Sequence, residues 1–528
     1  MGIRRRRPAP QPDVFATIPA TRVGPARSRS SGRGEWRWNS EVRKRTIPPN
    51  CIGRWSNTDD GSRPGLPADT SRVGAVIAHV RERVARGGLA AGARLPSIRR
   101  CARALAVSNS TVVDAYERLV AAGEIASRRG SGFYVTGAPR PVTLAERGPS
   151  LEREIDPLWV MRHSLETGAE VLKPGCGWLP DDWLPTEAIR RALRAEARGP
   201  ANALTAYGAP LGHAPLRTLL ARRLAEREIT ADPDQLVLTD SGTAALDLLC
   251  RLLVRPGDTV LVDDPCYFNF LNTLRAHGTK IVGVPYTPSG PDLDAFAQAA
   301  RGHAPRLYLT TGAFQNPTGA TAAPTVQHRL LGLIQAHDML VIEDDIFADF
   351  ESEPTPRLAA FDGLERVFHL GSFSKMLSAS IRCGFIAAPA RWMDALVDLK
   401  LATTFGSGEL GARVIWRLLS DGGGRRHFEA VRTRLAKARG EARERLVAAG
   451  LTPWNEPRGG MFLWARLPGP LSAVEVSRAA MKLGVVLAPG DVFSVGQRAG
   501  DYLRFNVAQS PPKVFEALER AMRRQVYF

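Results

Sequence analysis

Cysteine is sparse in this chain of 528 residues, and the six present (Cys51, Cys101, Cys176, Cys250, Cys266, Cys383) form no CxxC pair and have no histidines at ligand spacing. That scatter excludes a disulfide framework and a zinc site, and a reducing cytoplasm is the expected compartment. Long apolar runs are missing too: none approaches the roughly 18 residues that cross a bilayer, so neither a spanning helix nor a membrane partner is expected. Residues 1–70 have no apolar periodicity with which to offset chain entropy and read as a disordered basic arm. No apolar stretch follows Arg4–Arg7, which excludes a signal peptide. Acid is scarce at the same end. Residues 1–140 hold 26 Lys/Arg against 10 Asp/Glu, so this quarter carries most of the net charge of +18. Such asymmetry is the footprint of a nucleic-acid partner, because cations that neutralise phosphates release condensed counterions.

What is present begins after Thr70. Val73, Val76, Ile77, Val80 and Val84 share one helical face, and Gly87-Gly88 ends the helix. Ser97 is a natural N-cap for a second helix through Arg99, Cys101 and Leu105. A third starts at Ser108-Asn109-Ser110-Thr111 and buries Val112, Tyr116, Leu119 and Val120. Two β-prone runs between Glu124 and Val135, around Gly130-Ser131-Gly132, predict a hairpin. Three helices and a basic hairpin are the layout of a winged helix-turn-helix for a double-stranded DNA operator. In that layout Ser108, Asn109, Ser110 and Thr111 enter the major groove, Arg99 meets the backbone, and Arg128, Arg129, Gly130 and Ser131 form the wing. The stretch GLAAGARLPSIRRCARALAVSNSTVVDAYERLVAAGEIASRRGSGFYV resembles the GntR family of regulators. It departs at Asn109, where that family usually has arginine, which implies an altered phosphate contact or a base contact to adenine.

Residues 138–168 are rich in Pro, Glu and Arg, lack a clear period and read as a linker with room for one short helix. From residue 169 to 528, apolar runs alternate with amphipathic stretches, as an α/β fold with a mainly parallel sheet requires. In QLVLTDSGTAALDLLCRLL a strand turns through Ser241-Gly242-Thr243 into a helix whose first amides suit a phosphate, although a plain N-cap reads the same way. Asn316 lies in GAFQNPTGA, Asp344 ends MLVIED, and Lys375 lies in HLGSFSKMLSASIRCGF. An aspartate can keep a pyridine nitrogen protonated and a lysine can form a Schiff base, while Ser372 and Arg382 offer phosphate donors. Trp178 and Trp183 suit either a substrate mouth or packing where domains join.

This constellation is similar to the fold type I aminotransferases over residues 169–528. The resemblance implies pyridoxal 5'-phosphate as cofactor, with Lys375 as the internal-aldimine lysine, Asp344 on the pyridine nitrogen and Asn316 on the ring hydroxyl. It further implies Tyr267 of DDPCYF stacked on the ring, Tyr207 reaching the neighbouring subunit's phosphate, and Arg504 of DYLRFNVA clamping a substrate α-carboxylate. A departure lies at Ile346 and Phe347, where relatives place a tyrosine hydroxyl near the ring oxygen. With its N-terminal module, the chain over residues 72–528 resembles the MocR-type regulators. That resemblance implies a pyridoxal-phosphate-dependent transcription regulator, a head-to-tail homodimer, that senses an amine, an amino acid or vitamin B6 through aldimine formation. An aminotransferase with an appended DNA-binding domain is the alternative.

Overall fold

The computed structural model describes residues 71–526 apart from 86–88, 90–91, 129–130, 137–156 and 169. The expected arm, Gly87-Gly88 and the wing residues Arg129 and Gly130 lie outside the described residues. The chain divides into two compact units, one within residues 1–149 and the other within 150–528.

In the first unit α1 (Arg72–Ala85), α2 (Ile98–Leu105) and α3 (Asn109–Ala121) precede a hairpin of β1 (Ile125–Arg128) and β2 (Gly132–Val135). Capping explains the boundaries. Ser97 Oγ accepts from Arg100 N at 3.4 Å to start α2, and Ser108 Oγ accepts from Thr111 N at 3.1 Å to start α3. Val76, Val80, Val112, Tyr116, Leu119, Ile125 and Val135 form one core. Tyr116 links helix to hairpin: its OH donates to the Pro96 carbonyl at 3.1 Å and its ring meets Phe133 edge-on at 5.0 Å. Val84 and Val120, expected inside, are 37% and 36% exposed, because each lies in the last turn of its helix, where the packed face has run out.

The second unit is built on an eight-stranded sheet. Its strands are β3 (Leu236–Thr239), β4 (Thr259–Asp264), β5 (Lys280–Thr287), β6 (Gly290–Pro291), β7 (Leu307–Thr311), β8 (Leu340–Asp344), β9 (Val367–Ser372) and β10 (Gly384–Ala387). The order is β3-β10-β9-β8-β7-β4-β5-β6. The central strands are parallel, while β10 runs antiparallel to both β3 and β9. Strand alternation splits the core in two: Leu261, Tyr308, Val341 and Val367 point into one apolar cluster, and Val260, Leu307, Ile342 and Phe368 into another. A smaller antiparallel sheet follows, of β11 (Thr452–Pro453), β12 (Phe462–Arg466), β13 (Ala488–Pro489) and β14 (Tyr502–Asn506), in the order β11-β12-β14-β13. Within the stretch read as linker, residues Pro157–Glu166 form a helix, α4, that belongs to this second unit. Among the described residues no helix is long and apolar enough to cross a membrane.

Candidate functional site

At the start of α3, Ser108, Asn109 and Ser110 are exposed. They differ in freedom: Ser108 Oγ lies 2.8 Å from Ser110 Oγ and 2.7 Å from Thr111 Oγ1, so these hydroxyls are tied into the cap. Arg99 and Arg128 are exposed, and the Arg128 guanidinium lies 4.6 Å from the centre of the Tyr134 ring, whose hydroxyl pairs with Ser131 Oγ. The structure adds a cation that the sequence pattern did not single out. Arg94 bridges Tyr134 in antiparallel fashion, with Leu95 N donating to Phe133 O at 2.8 Å, and its side chain lies across Gly132. A Cβ on Gly132 would come within 3.3 Å of Arg94 Nε, at a backbone φ of +104° that favours glycine.

In the second unit the candidate residues gather where the parallel strands end. Asp344 closes β8, Ser372 closes β9, and Tyr267 and Asn316 lie in the connections after β4 and β7, the edge at which open α/β sheets bind ligands. Lys375, Arg504, Asn316, Tyr267 and Trp178 line one cavity. Lys375 Nζ donates to the Gly177 carbonyl at 2.6 Å. Burial, then the Arg504 charge, brings its amine down to about 8. Burial, with Asp345 adding to it, pushes the Asp344 carboxyl up to about 7, even though Oδ1 accepts from Ile346 N at 3.0 Å. Burial takes the Tyr267 phenol up to about 12.

Arg504 on β14 is 2% exposed. Its Nη1 donates to Asn316 Oδ1 at 2.8 Å and its Nη2 to Gly175 O at 2.6 Å, but Nε has no partner. The guanidinium carbon lies 4.4 Å from the Phe462 ring centre and 4.7 Å from that of Phe493, and burial lowers its pKa to about 10. A further anion suits this spare, buried donor.

The turn at Ser241-Gly242-Thr243 opens the helix Gly242–Leu253, with Ser241 Oγ accepting from Ala244 N at 3.0 Å. A Cβ on Gly242 would lie 3.2 Å from Ile346 Cγ2 and 3.4 Å from Ser372 Cβ, so the turn, Ser372 and the cavity wall at Ile346 adjoin one another. Ser372 Oγ is 3.4 Å from Cys383 O, next to Arg382, whose side chain is exposed and whose φ is +54°. Free amides at a helix start, a hydroxyl and a turn where even a Cβ would be tight fit a phosphate, and Lys375 with Asp344 fits a pyridine aldehyde. Phe347 is buried edge-on against Phe462 at 5.6 Å, and its hydrocarbon side chain, like that of Ile346, has no donor to offer a ring oxygen. Trp183 lies beneath Arg434, 4.1 Å from the guanidinium, and is a packing residue, whereas Trp178 lines the cavity. Tyr207 is 83% exposed and meets Phe405 edge-on at 5.1 Å. Among the described residues no group of His, Cys, Asp or Glu is disposed to hold a metal.

Comparison with known proteins agrees with both halves. Residues 72–135 match the model of bacterial regulatory proteins of the gntR family, and residues 178–521 that of aminotransferase class I and II. The HTH-type transcriptional regulator YdcR of Escherichia coli is 30% identical over 442 residues, 81% of this chain and 93% of its own. The regulatory protein MocR of Rhizobium meliloti is 29% identical over 426 residues, 78% of this chain and 84% of its own. The chain belongs to the MocR-type subfamily of GntR regulators. The second unit of this MocR-type regulator is similar to the α-aminoadipate aminotransferase LysN of Thermus thermophilus, solved with N-(5'-phosphopyridoxyl)-L-leucine. The TM-score is 0.64 at 28% identity, over 70% of this chain and 95% of that one. The regulator's site also contains groups that motif reading missed: the Gly175 and Gly177 carbonyls, the Phe462 and Phe493 faces, and three side chains of α4.

Proposed function

We propose that this regulator holds pyridoxal phosphate at Lys375, reads an amine, an amino acid or the vitamin there, and reports the outcome through operator DNA bound by its first unit. Arg504 carries the reading: a buried guanidinium with an unpaired Nε beside a lowered lysine amine is a receptor for a carboxylate that arrives with an amine. When bound, the cofactor supplies an aldehyde that takes up primary amines reversibly. Asp344 would receive the pyridine N–H, the amides of Gly242 and Thr243 with Ser372 and Arg382 would hold the phosphate, and Asn316 Nδ2, left free by its Oδ1 bond to Arg504, would reach the ring hydroxyl. Tyr267 would flank the ring.

On the DNA side Asn109 reads base edges, joined by Ser110 through the hydroxyl capacity left beyond its bond to Ser108 Oγ; Arg99, Arg128 and Ser131 meet phosphates, and Ser108 and Thr111 fix the helix start. A second copy of the chain would cover the exposed Tyr207 and Phe405, bringing the tyrosine to its partner's phosphate site and matching two operator half-sites. Five described cysteines, all free and buried, suit a reducing cytoplasm. Because Lys375, Asp344 and Arg504 are all in place, a second reading as an aminotransferase is tested by incubation with an amino acid and a keto acid, where steady turnover would favour the enzyme.

The decisive experiment is operator binding with and without amino acid for Arg504→Ala. The expected variant keeps the cofactor's colour and its ligand-free DNA affinity, and loses its response to carboxylate-bearing ligands, with affinity for them down about 100-fold. A response equal to the parent's defeats the reading.

A further inference from the structure

One wall of the cavity that contains Lys375 and Arg504 comes from α4, through Val160, Met161 and Ser164. Ser164 follows Met161 by three residues and Val160 by four, which puts the three side chains on one helical face. Val160 packs with Phe268 and Phe493, and the Phe493 ring is one of the two flanking the Arg504 guanidinium. Ser164 is 2% exposed, and its Oγ has no hydrogen-bond partner. A serine within a helix can return its hydroxyl to the carbonyl four residues back, and this one does not. A buried hydroxyl left unpaired is costly, and a ligand atom that satisfies it is favoured by the same margin. The charges on the cavity wall are equally restrictive. Among the described lining residues only Lys375 and Arg504 are ionisable cations, and there is no carboxylate.

The geometry points to α4 as the element that reads the effector's side chain: the ligand is a monocarboxylic α-amino acid whose uncharged side chain lies on Val160 and Met161 and hydrogen-bonds Ser164 Oγ. This rests on the sensor reading above and narrows it. Arg504 takes the α-carboxylate and the amine engages at Lys375, so a second carboxylate or ammonium would enter an apolar wall unpaired. A wholly hydrocarbon side chain would fit but leave Ser164 unsatisfied, which is how a site built to hydrogen-bond a hydroxyl rejects the analogue that lacks it. Along the chain, α4 is the first described element after residues 137–156, which lead from the DNA-binding unit. A ligand held by Ser164 therefore acts on the helix closest in sequence to that unit.

The test uses the full chain loaded with pyridoxal phosphate and titrated with tyrosine against phenylalanine, threonine against valine, and glutamate and lysine, followed by cofactor absorbance and by calorimetry. The hydroxylated member of at least one pair is expected to bind about tenfold more tightly than its hydrocarbon partner, with glutamate and lysine weakest. Ser164→Ala should bring that ratio to about one while leaving the cofactor's colour and the hydrocarbon member's affinity within about twofold. Met161→Arg, which places a cation in the wall, should raise glutamate affinity. An unchanged pair ratio in Ser164→Ala, or parental binding of glutamate or lysine as tight as that of any neutral amino acid, overturns the inference and leaves the sensor reading standing. If no amino acid changes absorbance or heat, the sensor reading falls and takes the inference with it.

Discussion

Arginine serves the two units under opposite conditions. Arg99 and Arg128 in the DNA-binding unit stand in solvent, whereas Arg504 in the large unit is packed between two phenylalanine rings and has its pKa lowered to about 10 by burial. A solvated cation interacts through water, is weakened by salt and attracts any nearby phosphate with little regard to shape. A desolvated one is expensive to leave unpaired and therefore selects a ligand that brings the right anion to one place. The first kind suits affinity for a polymer, and the second suits discrimination among small molecules.

The largest effect that would break this contrast concerns Lys375. Lys375→Ala should abolish the near-violet absorbance of the covalently held cofactor, while ligand-free operator binding measured by gel shift stays within about twofold of the parent. Loss of DNA binding would show that the units are not separable as described.

A smaller and graded effect follows from the Lys375 amine, lowered to about 8 by burial and by the Arg504 charge. The neutral amine attacks an aldehyde, and its fraction grows as pH rises through the pKa. Uptake of pyridoxal phosphate by apo-protein should therefore accelerate about tenfold per pH unit below 8 and level off above it. A rate still climbing beyond pH 9 would place the amine nearer its ordinary 10.5 and remove the electrostatic argument.

The smallest effect belongs to the exposed cations. Arg99→Ala should weaken binding to all DNA sequences alike and lower the salt slope by about one, read from fluorescence anisotropy at several salt concentrations. A sequence-dependent loss with an unchanged slope would mean that Arg99 reads a base.

The same contrast governs what the sequence disclosed. Ser97 and Ser108 announce their caps because capping depends on a few consecutive residues, and Asp344, Ser372 and Lys375 stand out because strand ends must present them at fixed offsets. The parallel core was legible from its apolar runs. The contribution of α4 was not: PLWVMRHSLE has a weak period, and its buried face is defined by Phe268 and Phe493, distant in sequence. Arg94 escaped notice for a related reason, since only a bridge to Tyr134, forty residues on, carries it to the wing. Backbone carbonyls such as Gly175 O leave no trace in residue type at all.

The cavity wall that includes residues 160–164 and 175–178 is stitched to the other end of the unit. Leu172 N donates to Gly484 O at 2.9 Å, Val486 N to Leu172 O at 2.9 Å, Asn506 N to Pro174 O at 2.7 Å, and Arg504 Nη2 to Gly175 O at 2.6 Å. During synthesis the DNA-binding unit emerges complete by residue 136, but the pocket must wait for Arg504. At roughly 5–20 residues per second that interval is on the order of 20–70 s. A chain ending before residue 484 contains all of residues 71–136 but lacks Gly484 O, Val486 N, Arg504 and Asn506 N, every partner that holds this wall, so the pocket is completed by the last part of the chain to be made.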